Sequence, residues 1–157
     1  MNNKFKTLGK KKFLLQGALL CLLSDIGNIL YVNMYWFPKK LSIQFLSKML
    51  SLQGVNAYQM PRADLLAYRE LLIDAFGIMF FVFLIYHLLV YFLFYKNKLW
   101  AKKYVYGYAL TGAILTMLEL PSLFQDHFTW GVIMLLTTLI YIFTFMGIKY
   151  FKKIEER

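Results

Sequence analysis

The chain is poor in the residues that build soluble active sites. It has one cysteine, Cys21, so neither an intrachain disulfide nor a cysteine-based metal cluster is available. Cys21 reads as a small buried apolar residue. There are two histidines, His87 and His127, and no His/carboxylate grouping has zinc spacing, so no metal and no cofactor is expected. The two cannot share one haem within a chain, because helix rise sets them roughly 20 Å or more apart. His87 is most simply a buried polar residue bonded to a neighbour. No glycine-rich phosphate loop and no nucleophile elbow occurs. Acids are scarce too: eight Asp and Glu against eighteen Lys and Arg.

What the chain has in excess is apolar surface. Hydrophobic residues make up 60% of it, against ~45–50% in a typical soluble domain. They collect into runs of the length that a bilayer requires, ~20 residues as helix. The runs are 13–36, ending before Pro38; 71–95; 104–120, ending before Pro121; and 128–151. A membrane β-barrel is excluded because its strands alternate in and out over ~10 residues, whereas "FGIMFFVFLIYHLLVYFLFY" is apolar all round. The expected fold is all-α: an integral membrane four-helix bundle, in one polytopic domain spanning residues 1–157. The basic start and apolar core of the first run resemble a signal peptide. The run continues too far and lacks a small-residue cleavage site, so an uncleaved span is expected.

The net charge of +10 does not point to nucleic acid, because of where it sits. Lys4, Lys6, Lys10, Lys11 and Lys12 precede the first span. Lys96, Lys98, Lys102 and Lys103 fill the second link, and Lys149, Lys152, Lys153 and Arg157 follow the last span. The first link carries Lys39, Lys40, Lys48, Arg62 and Arg69, and the third link carries none. Thirteen basic residues against five place both termini and the second link in the cytoplasm. Trp36 and Trp130 then fall at the outer interface and Trp100 at the inner one, where tryptophan concentrates. The inner basic ring is expected to meet anionic lipid headgroups. A multi-pass protein of a bacterial cytoplasmic membrane is the expected location.

The long first link, residues 38–63, contains "LSIQFLSKMLSLQ". Gln44, Ser47, Lys48 and Ser51 share one helical stripe, and Leu41, Phe45, Met49 and Leu52 a neighbouring face. This predicts an amphipathic helix lying on the outer interface or capping the bundle mouth, stopped at Gly54. Asp64 is placed to cap a helix beginning near Leu65. No internal repeat marks an inverted-repeat transporter.

Apart from Glu155 and Glu156, the acids lie in or beyond the outer half, with Asp25 near the midplane. Intramembrane ionisable residues usually face a bundle interior or a wet cavity. Asp25 and Asn28 are spaced i, i+3. Glu70 and Asp74 are spaced i, i+4. Tyr108, Gly112, Thr116 and Glu119 follow one face of the third span. The pattern predicts an outward-opening polar pocket lined by Asp25, Asn28, Asp74, Thr116 and Glu119, with Glu70, Tyr31 and Tyr35 at its rim. The bland alternative is that these side chains glue helices together or reach water at the interface. The other aromatics read as lipid-facing filler.

Three functions are compatible with this. The first is binding or moving a small cationic or amphipathic molecule or ion, as a homo-oligomer. The second is a non-catalytic accessory subunit of a larger membrane complex. The third is an intramembrane enzyme using two carboxylates on a lipid-like substrate. A non-enzymatic role is favoured, because spacing reveals no assembled acid/base pair.

Overall fold

The computed structural model describes residues 2–56 and 60–155. Every regular element among them is helical: α1 (Asn2–Leu8), α2 (Lys10–Tyr31), a π-helical turn (Val32–Trp36), α3 (Phe37–Lys40), α4 (Ile43–Leu52), α5 (Arg62–Tyr95), α6 (Leu99–Asp126) and α7 (Phe128–Glu155). Four stretches are long and apolar enough to cross a membrane: Lys10–Lys40, Arg62–Tyr95, Leu99–Asp126 and Phe128–Glu155. This is the architecture of a multi-pass membrane protein.

Two helices run past the prolines that were expected to end them. The first long helix continues through Pro38 to Lys40. Proline removes a donor and crowds the carbonyl four residues back. Here the preceding turn widens to π geometry, with the Phe37 N–H donating to the Val32 carbonyl, and Pro38 enters a fresh helical turn, where it is tolerated. The Asn33 side chain donates to the Ile29 carbonyl at 3.0 Å. Pro121 likewise lies inside α6, which ends only at Asp126. A long helix tolerates proline where neighbouring turns adjust to π or 3₁₀ geometry and re-satisfy the freed backbone groups.

Stops occur where the backbone can turn left-handed. Gly54 has φ +82°, and the Val55 N–H closes on the Leu50 carbonyl at 3.0 Å, a Schellman end for α4. Asn97, with φ 59°, does the same for α5, with the Lys98 N–H on the Leu93 carbonyl at 3.0 Å. The α5–α6 connection is therefore tight. α5 starts at Arg62 rather than near Leu65. Pro61 precedes it directly, and Asp64 sits in the first turn, where the helix dipole favours an acid.

The chain groups into two compact units, Met1–Asn28 with Leu84–Arg157, and Ile29–Phe83. In the first unit, side chains from all four long helices share one core. α6 offers a stripe of small residues at i, i+4 spacing, Ala101, Val105, Ala109 and Ala113, all buried. Such stripes let membrane helices approach closely. Only His127 separates α6 from α7. Phe5 of α1 packs its ring on Phe13, Phe143 and Tyr150. In the second unit Phe37 stacks on Phe76 with centroids 4.5 Å apart, and Leu50 packs with Leu65. Ser42 caps α4, accepting from the Phe45 N–H at 3.2 Å. Leu46, Ser47 and Leu50 are its buried face, while Phe45, Met49 and Leu52 are exposed.

Candidate functional site

The chemistry of the first unit concentrates around Asp25. α2 supplies the carboxylate, and α5 supplies His87 and Tyr91, one turn apart. α6 supplies Tyr104 and Tyr108, also one turn apart, and α7 supplies Tyr141. Because α5 and α6 are joined by the short Lys96–Lys98 turn, their two i, i+4 polar pairs fall at similar distances from it. Asp25 is 1% exposed and His87 fully buried.

The carboxylate is saturated. Tyr91 donates to Oδ2 at 2.7 Å. Tyr108 donates to Oδ1 at 2.6 Å, and Tyr141 to the same oxygen at 3.1 Å. His87 Nδ1 lies 2.6 Å from Oδ2. Asn28 Nδ2 donates to the Tyr141 hydroxyl at 2.9 Å. On the far side of the imidazole, Nε2 is 2.9 Å from the Tyr104 hydroxyl. A continuous hydrogen-bonded chain thus runs from half-buried Tyr104 through His87 and Asp25 to Tyr141 and half-buried Asn28.

Burying a charge without partners costs several kcal/mol, and an ion pair offsets this only when every lone pair and proton is satisfied. That condition is met here. The imidazole can also change state without orphaning an atom. As imidazolium it donates from both nitrogens, to Asp25 and to Tyr104. As neutral imidazole it keeps Nδ1–H on Asp25, and Nε2 accepts from the Tyr104 hydroxyl, which serves as donor or acceptor. Nearby, Ser24 Oγ is buried and is the one such side-chain atom among the described residues with no hydrogen-bond partner.

The residues singled out in the sequence separate. Asp25 and Asn28 belong to one network, bridged by Tyr141. Thr116 faces α7 and not the carboxylate: its hydroxyl lies 2.7 Å from that of Thr138, and each hydroxyl also reaches a carbonyl of its own helix. Glu119 is exposed. Asp74, Glu70, Tyr31 and Tyr35 belong to the second unit. There Asp74 and Glu70 are exposed, and Tyr31 packs on Tyr35 with centroids 5.5 Å apart. Arg69 caps carbonyls, with Nε on Leu41 at 2.8 Å and a longer contact to Pro38. Cys21 is buried, with its thiol on Thr144 at 3.4 Å. Among the described residues no group of His, Cys, Asp and Glu is arranged to hold a metal.

Sequence reasoning found Asp25 but missed the partner that defines it. His87 was read as a polar residue bonded to some neighbour, Tyr108 as one position on the polar face of the third span, and Tyr91, Tyr104 and Tyr141 as filler. The signal was present in the spacing: His87–Tyr91 and Tyr104–Tyr108 are polar i, i+4 pairs on consecutive spans that a short link forces antiparallel. Among the described residues the partners of Asp25 are one imidazole and three tyrosine hydroxyls. No protein-family model, curated protein or solved structure matches the chain.

Proposed function

We propose that the chain is a multi-pass membrane protein that takes up and passes on a proton at the Asp25–His87 centre, the proton being the small cation that it binds or moves. One observation carries this reading: a buried imidazole is held between a carboxylate and an amphoteric hydroxyl, so both protonation states keep every partner. Imidazole is the side chain whose charge changes most readily near neutral pH. Proton relays are among the roles that intramembrane ionisable residues serve. A larger organic cation has no comparable support, since both Asp25 oxygens are already occupied by the chain's own groups.

The test is pH-difference infrared spectroscopy of the protein in lipid. On a pH step the wild type should show carboxyl and imidazole difference bands that vanish in Asp25→Asn and in His87→Gln. A spectrum without pH-dependent bands from either residue would sink the proposal. Proteoliposomes with an entrapped pH dye then report whether the proton crosses.

A second reading, an accessory subunit in which the same network only fastens helices, is favoured by the 1% exposure of Asp25. It requires that the network stay in one protonation state, so the same spectra separate the two.

In this proposal both termini face the cytoplasm, in a bacterial cytoplasmic membrane. Lysines from the start of α2, the start of α6 and the end of α7 do line one common cavity, which supports a single basic face. α4 is assigned by the sequence to the outer interface. Its exposed Phe45, Met49 and Leu52 support that placement.

A further inference from the structure

The end of the first unit where α2 and α6 begin and α7 finishes encloses a cavity of about 630 Å³. That falls within the ~300–1,000 Å³ typical of small-molecule sites. Six lysines line it: Lys10, Lys102, Lys103, Lys149, Lys152 and Lys153. Among the described lining residues the single carboxylate is Glu155, which takes an ion pair from Lys10 and another from Lys102 at 3.2 Å. It stitches the start of α2 and the start of α6 to the end of α7. Lys103, Lys149 and Lys153 bring further positive charge to the lining beyond the two lysines that Glu155 holds.

Beneath the lysines the lining is apolar. Phe13, Leu14 and Ile148 belong to it and are themselves buried. A basic rim over an apolar floor suits a ligand with an anionic head and a hydrocarbon tail. Among the described residues the rim contains lysine and no arginine. Lysine is a point charge that binds phosphate without imposing a planar fork. Free phosphate would satisfy the rim and leave the floor uncovered. Surface attraction to an anionic leaflet needs no cavity at all.

We infer that this cavity is a discrete site for one phosphate-bearing anionic lipid, with the phosphate among Lys103, Lys149 and Lys153 and an acyl chain against Phe13, Leu14 and Ile148. The inference is independent of the proton reading.

Native mass spectrometry of the protein released from nanodiscs tests it, using equal phosphatidylglycerol and phosphatidylcholine. The expected result is retention of one phosphatidylglycerol per chain in preference to phosphatidylcholine. The triple variant Lys103→Gln/Lys149→Gln/Lys153→Gln should lose that retention roughly tenfold or more, and the corresponding triple arginine variant should keep it. Lys11→Gln/Lys12→Gln/Lys96→Gln removes equal charge outside the cavity lining and should change retention little. Equal retention of both lipids, or equal loss in the two glutamine triples, overturns the site. Displacement of the lipid by inorganic phosphate alone assigns the lysines to free phosphate and overturns the lipid. Helix content and monodispersity verify that each variant has folded.

Discussion

His87 Nδ1 lies 2.6 Å from Asp25 Oδ2, with both side chains fully shielded from solvent. The pair joins residues 62 positions apart and ties α2 to α5 inside the apolar region. Breaking it from either side leaves a polar group stranded. Asp25→Ala should cost about 3–5 kcal/mol, and His87→Ala about the same. The double variant should cost less than the two single variants together, with a coupling of about 1–3 kcal/mol. Unfolding titrations in mixed micelles measure all three. Additive losses would mean that the contact contributes nothing of its own.

Gly112 bears directly on the same network. A Cβ there would sit 2.7 Å from Tyr141 Cε2. Gly112→Ala therefore forces the Tyr141 ring away from Asp25 and should destabilise by about 1–3 kcal/mol. Gly107 lies five residues earlier on α6, and a Cβ there meets nothing within 4 Å. Gly107→Ala should be neutral or slightly stabilising. Equal melting shifts for the two alanine variants would contradict the seat assigned to Tyr141.

Glu155 holds Lys10 and Lys102 at once. Its side chain is 40% exposed, so the clamp should matter to local order more than to global stability. Glu155→Gln is expected to speed amide exchange in the last turn of α7 and the first turn of α2, with the overall melting temperature little changed. High salt should reproduce the effect in the wild type by screening. Unchanged exchange in Glu155→Gln would remove the clamp from the account.

The proposed orientation has a clean chemical test, because Cys21 is fully buried and gives a silent background to thiol reagents. In intact spheroplasts Gln53→Cys should react with a membrane-impermeant maleimide, and Lys98→Cys only after permeabilisation. The reverse pattern inverts the topology.

The legible part of the fold was whatever a solvent dictates locally. Apolar runs long enough for a bilayer announce four helices, and Gly54 announces the end of α4. Prolines misled, because a helix carries one where the neighbouring turns absorb its lost donor. Pro38 is absorbed by the π turn before it, and Pro121 is carried inside α6. α5 starts early because Pro61 readies its first turn. The candidate site was half legible. Asp25 stood out because a carboxylate amid apolar residues demands partners. Thr116 was chosen for lying on the face of Tyr108, yet its hydroxyl bonds to Thr138. Glu119 shares a helix with Tyr108 without sharing its surroundings.

The sequence by itself determined that this chain has four helices long and apolar enough to cross a membrane, because hydrophobic length depends only on composition along the chain. It also determined that Asp25 must be satisfied, because the cost of a bare charge in hydrocarbon does not depend on topology. Only the tertiary structure decided by what. Rotation of each helix about its axis is set by packing between helices, here by the small-residue stripe of α6 and the short turn between α5 and α6. That rotation brings His87, Tyr91, Tyr108 and Tyr141 to one carboxylate. A helix that is apolar all round carries almost no local signal of which way it faces.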